Sequence, residues 1–438
     1  MYLLFFRLYH IDMKQLQLLA LLVLIVSCSE EPARQLTNAS DYYGYLITSE
    51  KTTYQDAFDE KVFWSKRLSE DTTGVGNLGP LAGAYERLFA FTGDASFLYG
   101  AEKLHKKGMS ISANNKDAYA RALAHNYITQ HRFQEAKVIL EETYAGISNK
   151  KATAYMLFDV YMEIGEYEKA DMFLGLIKNN SNYNYLIRLA KWSDHQGNLD
   201  AAIKYLEQAR VIAESRNSKP LKIWTYSNIA DFYGHAGRLD EAYTHYLKTL
   251  ELQPDNAYAK KGIAWILYSE EKNTVAANRI LDSVMVNHKV PDYYLLKSEM
   301  ASFVGNAEDA DANQSLFLKA VSEGKYGNMY NAYLIEIYAE TNPSLALQMA
   351  DQEVLNRPTP ESYHLLAIAQ LANDEKEKAL QTIADYVDGK TFEPTAQYHS
   401  ALVYKANGLT EKVTPLKEEL LEAGFELGPV MLARIKEL

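Results

Sequence analysis

Two acid–histidine pairs are the residues whose types and spacing could do chemistry. Asp194 and His195 are adjacent, and Asp231 and His235 stand four residues apart, a spacing that places two side chains on one face of a helix. Two imidazoles and two carboxylates could together bind a transition metal such as zinc. The alternatives are a polar recognition surface or ordinary solvated charge. We favour the alternatives, and we predict no metal and no cofactor.

A glycine-rich run is the other candidate for cofactor chemistry. Gly74-Val75-Gly76-Asn77-Leu78-Gly79 matches the dinucleotide fingerprint, but that motif requires a preceding apolar strand, and residues 67–73 form none. We interpret the run as a flexible joint. The sequence holds no His-Glu-x-x-His, Gly-x-Ser-x-Gly, phosphate-loop or paired-cysteine motif. We therefore predict that the protein is not an enzyme.

Composition narrows the class of protein further. The chain has 438 residues, of which 47% are hydrophobic, and it includes 33 tyrosines and a single cysteine. This hydrophobic content suffices for a packed core, and one cysteine excludes a disulfide framework or a thiolate metal cluster. The net charge of −12 argues against nucleic-acid binding, which normally requires a basic surface.

The first residues have the layout of a secretory signal. Leu16–Val26 is apolar apart from Gln17, and it is about half as long as the ~20-residue helix that spans a bilayer. Lys14 precedes this run and the small residue Ser27 follows it, as in a signal peptide. Met13 is an alternative start of translation.

The end of this signal resembles a bacterial lipobox, Ile25-Val26-Ser27-Cys28. The resemblance implies cleavage before Cys28 and lipidation of its thiol, with several acyl chains anchoring the mature protein to a membrane. Ser29 in place of aspartate implies the outer membrane, and Ser29-Glu30-Glu31 resembles a signal for export to the cell surface. The alternative is a plain secretory signal with an incidental cysteine.

A short motif recurs through the rest of the chain. Gly165, Gly197 and Gly237 each stand five residues before an alanine, in a Gly-x-x-x-x-Ala frame. This frame resembles the centre of the tetratricopeptide repeat, a helix–turn–helix unit of about 34 residues. Extending it at a period of about 35 residues gives unit starts at Gly79, Asp117, Lys151, Tyr183, Ile223, Ala257, Pro291, Gly327, Pro360 and Pro394.

Certain positions within the units carry residue types that suit a helix–turn–helix. Small residues such as Ala230 and Ala242 stand where the two helices of a unit would cross most closely. A glycine such as Gly237 would supply the left-handed turn between them, and Asn342-Pro343 resembles a helix N-cap followed by a first-turn proline.

The predicted fold is all-α, a right-handed solenoid of about ten such units with helical caps. The predicted segments are a signal peptide (1–27), a lipidated tether (28–40), an N-terminal helical cap and joint (41–78), the repeat array (79–427) and a C-terminal capping helix (428–438). Pro415 falls within the second helix of the last unit and would interrupt it. We therefore expect that helix to begin late, with Thr414 as its N-cap.

Resemblance to tetratricopeptide proteins also implies which residues face the concave groove. Those in the N-terminal half are mainly polar, and those in the C-terminal half are mainly aromatic. The predicted groove residues are Arg121, His125, Asp159, Lys191, Asp194, His195, Asp231, His235, Tyr258, Trp265, Tyr268, Phe303, Tyr338 and Tyr398. The alternative for each is that it packs against a neighbouring unit and belongs to the core.

The expected function is therefore non-catalytic. Exposed aromatic and polar side chains in a preformed groove are typical of protein interfaces. We expect a membrane-anchored scaffold or assembly factor that binds a partner protein or peptide in its concave groove. The alternative is a lipoprotein that binds a nutrient, either a glycan or an oligopeptide, for an outer-membrane transporter.

Overall fold

The computed structural model describes residues 35–47, 52–70, 74–147 and 149–438. Within these ranges the chain forms 23 α-helices, one short 3₁₀ helix at Gly327–Tyr330 and no strand. The predicted all-α helical repeat fold is thus confirmed. The signal peptide, the lipobox with Cys28 and residues 28–34 of the predicted tether lie outside the described residues.

Two helices precede a regular array of ten helix pairs, and one helix follows it. The first two are α1 (Ala39–Ile47) and α2 (Thr52–Glu70). The pairs are α3/α4 (Val75–Thr92, Ser96–Ile111), α5/α6 (Lys116–Thr129, Phe133–Ala145), α7/α8 (Lys150–Glu163, Tyr167–Leu176), α9/α10 (Tyr183–His195, Leu199–Ser215), α11/α12 (Lys219–His235, Leu239–Leu252), α13/α14 (Ala257–Ser269, Thr274–Met285), α15/α16 (Asp292–Phe303, Ala307–Gly324), α17/α18 (Asn331–Thr341, Pro343–Asn356), α19/α20 (Pro360–Ala372, Lys376–Tyr386) and α21/α22 (Pro394–Ala406, Thr410–Glu422). The last helix is α23 (Gly424–Lys436).

The turns that contain the predicted glycine have the left-handed conformation that glycine favours. Gly165, Gly197 and Gly237 adopt φ values near +70° (71°, 73° and 69°), which glycine reaches without a Cβ penalty. Where a unit lacks the glycine, another residue can adopt the left-handed conformation, as Asp374 does, but no residue does so in the α17/α18 turn, where Asn342 has φ −152°. The side chain of Asn342 accepts a hydrogen bond from the Leu345 N–H, so it is the predicted N-cap.

Small side chains occupy the crossing points of the helix pairs. Ala230 and Ala242 are fully buried where α11 meets α12, and Ala367 and Ala379 are fully buried in α19 and α20. The large core residues lie around them, for example Ile229 and Tyr233 in α11. Close approach of the paired helices therefore depends on alanine at these sites.

Turns of the array that are six units apart contact each other. The Lys289 N–H donates to the Thr92 carbonyl at 2.9 Å, and the Tyr326 hydroxyl donates to the Gly93 carbonyl at 3.0 Å. One unit further along, the Asn356 side-chain amide donates to the His131 carbonyl at 3.0 Å. The superhelix is therefore wound tightly enough for successive turns to rest on one another.

The N-terminal segment contacts second helices of the array and the turn between α13 and α14. The Leu36 N–H donates to the Glu271 carboxylate at 2.8 Å, and the Ser283 hydroxyl donates to the Leu46 carbonyl at 2.8 Å. Helix α1 contacts α12 and α14. Residues from Leu36 onward, part of which we predicted to be tether, are thus held against the array.

Two expectations about single helices are wrong. Helix α3 begins at Val75, so residues 75–79 form helical turns and not a flexible joint. Helix α22 begins at Thr410 and contains Pro415, although Thr414 was expected to cap a later start. Proline removes only one intrahelical hydrogen bond, and α22 buries Val413 and Leu420 on either side of it, which holds the helix together. None of the described helices is both long and apolar enough to cross a membrane.

The last helix does not simply extend the stack. Helix α23 contacts α21 of its own end of the array, and it also contacts α11, α13 and α15, which are first helices three to five units earlier. It is broken at Gly428, which adopts φ 77° and ψ 167°. Since the first helices also contact one another along the array, α23 lies across the inner, concave surface.

Candidate functional site

The concave surface formed by the first helices is the candidate site, and helix α23 covers part of it. The main-chain carbonyl of Phe425 accepts hydrogen bonds from the indole Nε1–H of Trp265 at 3.0 Å and from the hydroxyl of Ser269 at 2.7 Å. Gly234 leaves room for the Phe425 ring, because a Cβ at this position would lie 2.6 Å from a ring carbon. The surface therefore already binds a polypeptide segment.

Next to this segment the surface opens into a cavity of about 350 Å³. It lies between helices α7, α9 and α11 on one side and, on the other, the loops before α19 and α21 together with α23. Its lining residues are Met162, Glu163, Tyr167, Lys191, Asp194, His195, Gly197, Leu199, His235, Arg357, Glu361, Thr391, Phe392, Glu393, Pro394 and Glu426. Four of the predicted groove residues, Lys191, Asp194, His195 and His235, are among them.

An ion cluster joins two turns of the superhelix at one wall of the cavity. The Glu163 carboxylate contacts the Lys191 ammonium at 2.7 Å and the Arg357 guanidinium at 3.1 Å. Burial alone would raise the pKa of Glu163, but the two cations outweigh it and hold that pKa below its usual value. Both cations are thus engaged by Glu163.

The remaining carboxyl groups of the cavity repel one another. Burial, together with the negative charges of Glu426, Glu361 and Asp194, raises the pKa of Glu393 to about 7. Burial also raises the pKa of Asp194 and of Glu426, against the effect of His235. The His235 ring lies 4.0 Å from the Glu426 carboxylate. This part of the cavity is therefore acidic, and a cation placed in it would relieve the repulsion.

The structure separates the two acid–histidine pairs. Asp194, His195 and His235 line the cavity, whereas the Asp231 carboxylate accepts hydrogen bonds from the hydroxyls of Tyr246 and Tyr258. Among the described residues no group of three or more histidine, cysteine, aspartate or glutamate side chains has the geometry of a metal site. Asp194, His195, Asp231 and His235 therefore do not come together as the metal site that their types and spacing could have formed.

The other polar groove candidates are spread along the N-terminal half. Arg121 donates to the Thr153 hydroxyl at 3.4 Å, and the Asp159 carboxylate pairs with the guanidinium of Arg188. His125 is exposed. These three side chains lie outside the cavity.

Most of the predicted aromatic anchors are engaged within the protein. Tyr268 is fully buried and donates to Glu299 at 2.8 Å, and Tyr398 is buried in a cluster with Leu427 and Ile435 of α23. Tyr338 packs against a cluster around Ile335. Exposed rings remain at Tyr258, which is 54% exposed, and at Phe303, which is 38% exposed. Tyr268, Tyr338 and Tyr398 therefore follow the alternative stated for each groove residue, packing within the protein, because α23 or neighbouring units cover them.

Several residues of the site were not predicted from the sequence. Arg357, Glu361 and Glu393 belong to the linkers and first turns near Pro358, Pro360 and Pro394, where one unit joins the next. Their placement before or beside a unit-starting proline is a signal that could have marked them as linker residues. Phe425 and Glu426 had no such signal, since their role depends on α23 folding back onto distant units.

A family profile matches part of this helical array. A tetratricopeptide repeat profile matches residues 183–255, which form α9 to α12. A tetratricopeptide repeat protein from Parabacteroides merdae has 19% identity to this chain, with 54% of this chain and 92% of that chain covered at a TM-score of 0.38. Yeast Tom70 has 13% identity, with 91% and 96% covered at a TM-score of 0.40. The search of curated proteins finds no match.

Proposed function

We propose that this protein is a non-catalytic, lipid-anchored scaffold that binds a partner protein or peptide on its concave surface. The observation that carries the proposal is that this surface binds a segment of the chain itself, through the Phe425 carbonyl held by Trp265 and Ser269. Hydrogen bonds to the main chain recognise a polypeptide whatever its other side chains are. Helical-repeat proteins of the tetratricopeptide type use the same concave surface for partners.

The chemistry of the cavity indicates which side chain of the partner would enter it. Lys191 and Arg357 are both engaged by Glu163, so the carboxyl groups of Asp194, Glu393 and Glu426 face the cavity beside the partly exposed His235. A lysine, an arginine or an N-terminal ammonium of the partner would neutralise this group and form charge-assisted hydrogen bonds. The partner therefore presents a cation to the cavity.

The rigidity of the array favours binding of a partner. Contacts between successive superhelical turns, such as the Arg357 guanidinium to the Glu163 main-chain carbonyl at 3.3 Å, fix the cavity walls before any partner arrives. A preformed surface lowers the ordering cost of association. Glycan binding has less support, because three of the predicted aromatic residues are engaged within the protein: Tyr268 and Tyr398 are buried, and the Trp265 indole N–H donates to the Phe425 carbonyl.

Affinity capture from the producing cells tests the binding proposal. Glu393→Lys places a cation in the acidic part of the cavity and should reduce recovery of the partner at least ten-fold. Glu168→Lys, on the exposed side of α8, makes the same charge change away from the cavity and should leave recovery unchanged. Equal recovery with the two variants would contradict the proposed site.

Membrane anchoring is a separate part of the proposal, supported by the lipobox resemblance at Cys28. Cys28→Ser should move the protein from the membrane fraction to the soluble fraction, and it should abolish labelling by a radioactive or clickable fatty acid. Ser27→Ala keeps a small residue before the cysteine and serves as the control. A Cys28→Ser protein that still fractionates with membranes would refute lipid anchoring.

A further inference from the structure

The segment that starts at Gly424 binds the concave surface through one carbonyl that its own helix cannot satisfy. In an α-helix the carbonyl of Phe425 would accept from the N–H of residue 429, but that residue is Pro429, which has no N–H. The helix is also broken at Gly428. The Phe425 carbonyl is therefore free for donors outside the helix.

Two donors on α13, one buried and one partly buried, supply those hydrogen bonds. Ser269 is only 2% exposed, and its hydroxyl donates to the Phe425 carbonyl at 2.7 Å. The Trp265 indole N–H donates to the same oxygen at 3.0 Å. Without an acceptor at this point, both donors would stand unpaired in a largely buried place, which is costly. The site on α13 thus favours an acceptor oxygen from outside α13, and the Phe425 carbonyl supplies it.

A notch beside these donors accepts the aromatic ring. Gly234 on α11 faces Phe425, and a Cβ there would lie 2.6 Å from the ring. The Phe425 ring itself is only partly buried, and it packs at the edge of the largest core cluster. The two donors and the notch together therefore fit an aromatic residue whose main-chain carbonyl accepts no hydrogen bond within its own helix.

We infer that Gly234, Trp265 and Ser269 form a peptide subsite and that residues 424–430 are its resident, displaceable occupant. The partner that fits carries an aromatic residue four positions before a proline, as Phe425 and Pro429 are arranged here. This inference rests on the proposed partner-binding function and names the peptide chemistry that the surface recognises. Partner binding and docking of the chain's own C-terminal segment then exclude each other.

Peptide binding to the intact chain tests the inference directly. The probe is a fluorescent synthetic peptide with the sequence of residues 423–438, measured by anisotropy. Phe425→Ala in the protein weakens the resident segment, so this variant should bind the peptide at least ten-fold more tightly than the wild-type protein. Adding Gly234→Val fills the notch and should abolish that binding. A peptide that binds neither protein, or both equally, would overturn the inference.

Peptide variants separate recognition of the carbonyl from general stickiness. Pro429→Ala in the peptide restores an N–H that can occupy the Phe425 carbonyl, so binding should weaken about ten-fold. Phe425→Ala in the peptide should weaken it at least as much. Unchanged affinity for both peptides would show that the two donors and the notch are not the recognition elements.

A second measurement uses the wild-type protein and needs no destabilised variant. Excess unlabelled peptide should accelerate hydrogen exchange of residues 424–428 in the intact chain, because the resident segment is displaced. No change in exchange would overturn the inference. If sedimentation instead finds wild-type dimers that the peptide dissociates, the occupant is a second copy and not a separate partner. Recovery of the partner in the cellular test with Glu393→Lys does not depend on the outcome of these peptide measurements. Failure of the subsite can therefore be distinguished from failure of the proposed function.

Discussion

A matched pair of glycine substitutions tests whether successive turns of the superhelix rest on one another. Gly165 and Gly237 occupy the same position in their units, with φ values of 71° and 69°. At Gly165 an added Cβ would lie 2.5 Å from the Pro358 carbonyl oxygen of the next turn, whereas at Gly237 it would meet nothing within 4 Å. The two sites share the left-handed conformation and differ in whether an added Cβ would meet the next turn.

The expected magnitudes follow from these two environments. Alanine in the left-handed conformation costs about 1–2 kcal/mol at either position. At Gly165 the clash with a main-chain oxygen adds overpacking, which typically costs about 1–3 kcal/mol. We therefore expect Gly165→Ala to lower the free energy of unfolding by about 2–5 kcal/mol and Gly237→Ala by about 1–2 kcal/mol.

Urea denaturation followed by circular dichroism measures both variants. Because repeat arrays can unfold in parts, hydrogen exchange should accompany it. Residues 356–359 should exchange faster in Gly165→Ala than in the wild-type protein, and they should be unaffected by Gly237→Ala. Equal destabilisation by the two substitutions, with no change at residues 356–359, would refute the stacking of turns.

Further predictions concern buried charge. Removing the carboxylate that holds Lys191 and Arg357, by Glu163→Gln, should cost about 2 kcal/mol of stability by urea denaturation, since it leaves two cations facing each other. The control Glu60→Gln breaks an exposed pair with Arg87 and should cost less than about 0.5 kcal/mol; equal losses would contradict the role of the cluster. Acidification should destabilise the fold, because burial lowers the pKa of His399 to about 4 from 6.5 in the unfolded chain. Because the folded pKa lies below the unfolded value, the stability that this group contributes is fully present above pH 6.5 and is lost as the pH falls. Near pH 5 the loss for this group is about 2 kcal/mol. His399→Gln should reduce that pH dependence, and an unchanged pH profile would argue against a neutral buried imidazole.

Local features of the array could be predicted from the sequence because they depend on neighbouring residues. The left-handed turns at Gly165 and Gly237, the N-cap at Asn342 and the buried alanines at the helix crossings all follow from helix geometry within one unit. Repetition of the same pattern along the chain then gives the all-α repeat fold.

Two local expectations were wrong because packing outweighed propensity. Residues 75–79 are helical despite their glycines, since α3 packs between α2 and α4 and buries Leu78. Helix α22 continues through Pro415 because Val413 and Leu420 are buried against neighbouring helices. Tertiary contacts of this kind are not visible in a local pattern.

The candidate site could be predicted only in part. Lys191, Asp194, His195 and His235 were expected in the groove from their repeat positions, and they line one cavity. The opposite wall of the cavity comes from linkers six units away and from α23. The winding of the superhelix brings these segments together, and the spacing of the repeats in the sequence does not show that winding. For the same reason the sequence left open whether Tyr268 and Tyr398 face the groove or belong to the core.

The most direct test of the account is site-specific photo-crosslinking in intact cells. A benzophenone amino acid at Phe392, which lines the cavity and is 57% exposed, should crosslink the protein to one partner. The same amino acid at Met172 on α8, with a similar exposure of 52%, should give no such product. A concave surface that binds a partner predicts crosslinking from Phe392 alone. Crosslinking of the same partner from Met172, or no crosslinking from Phe392, would contradict it.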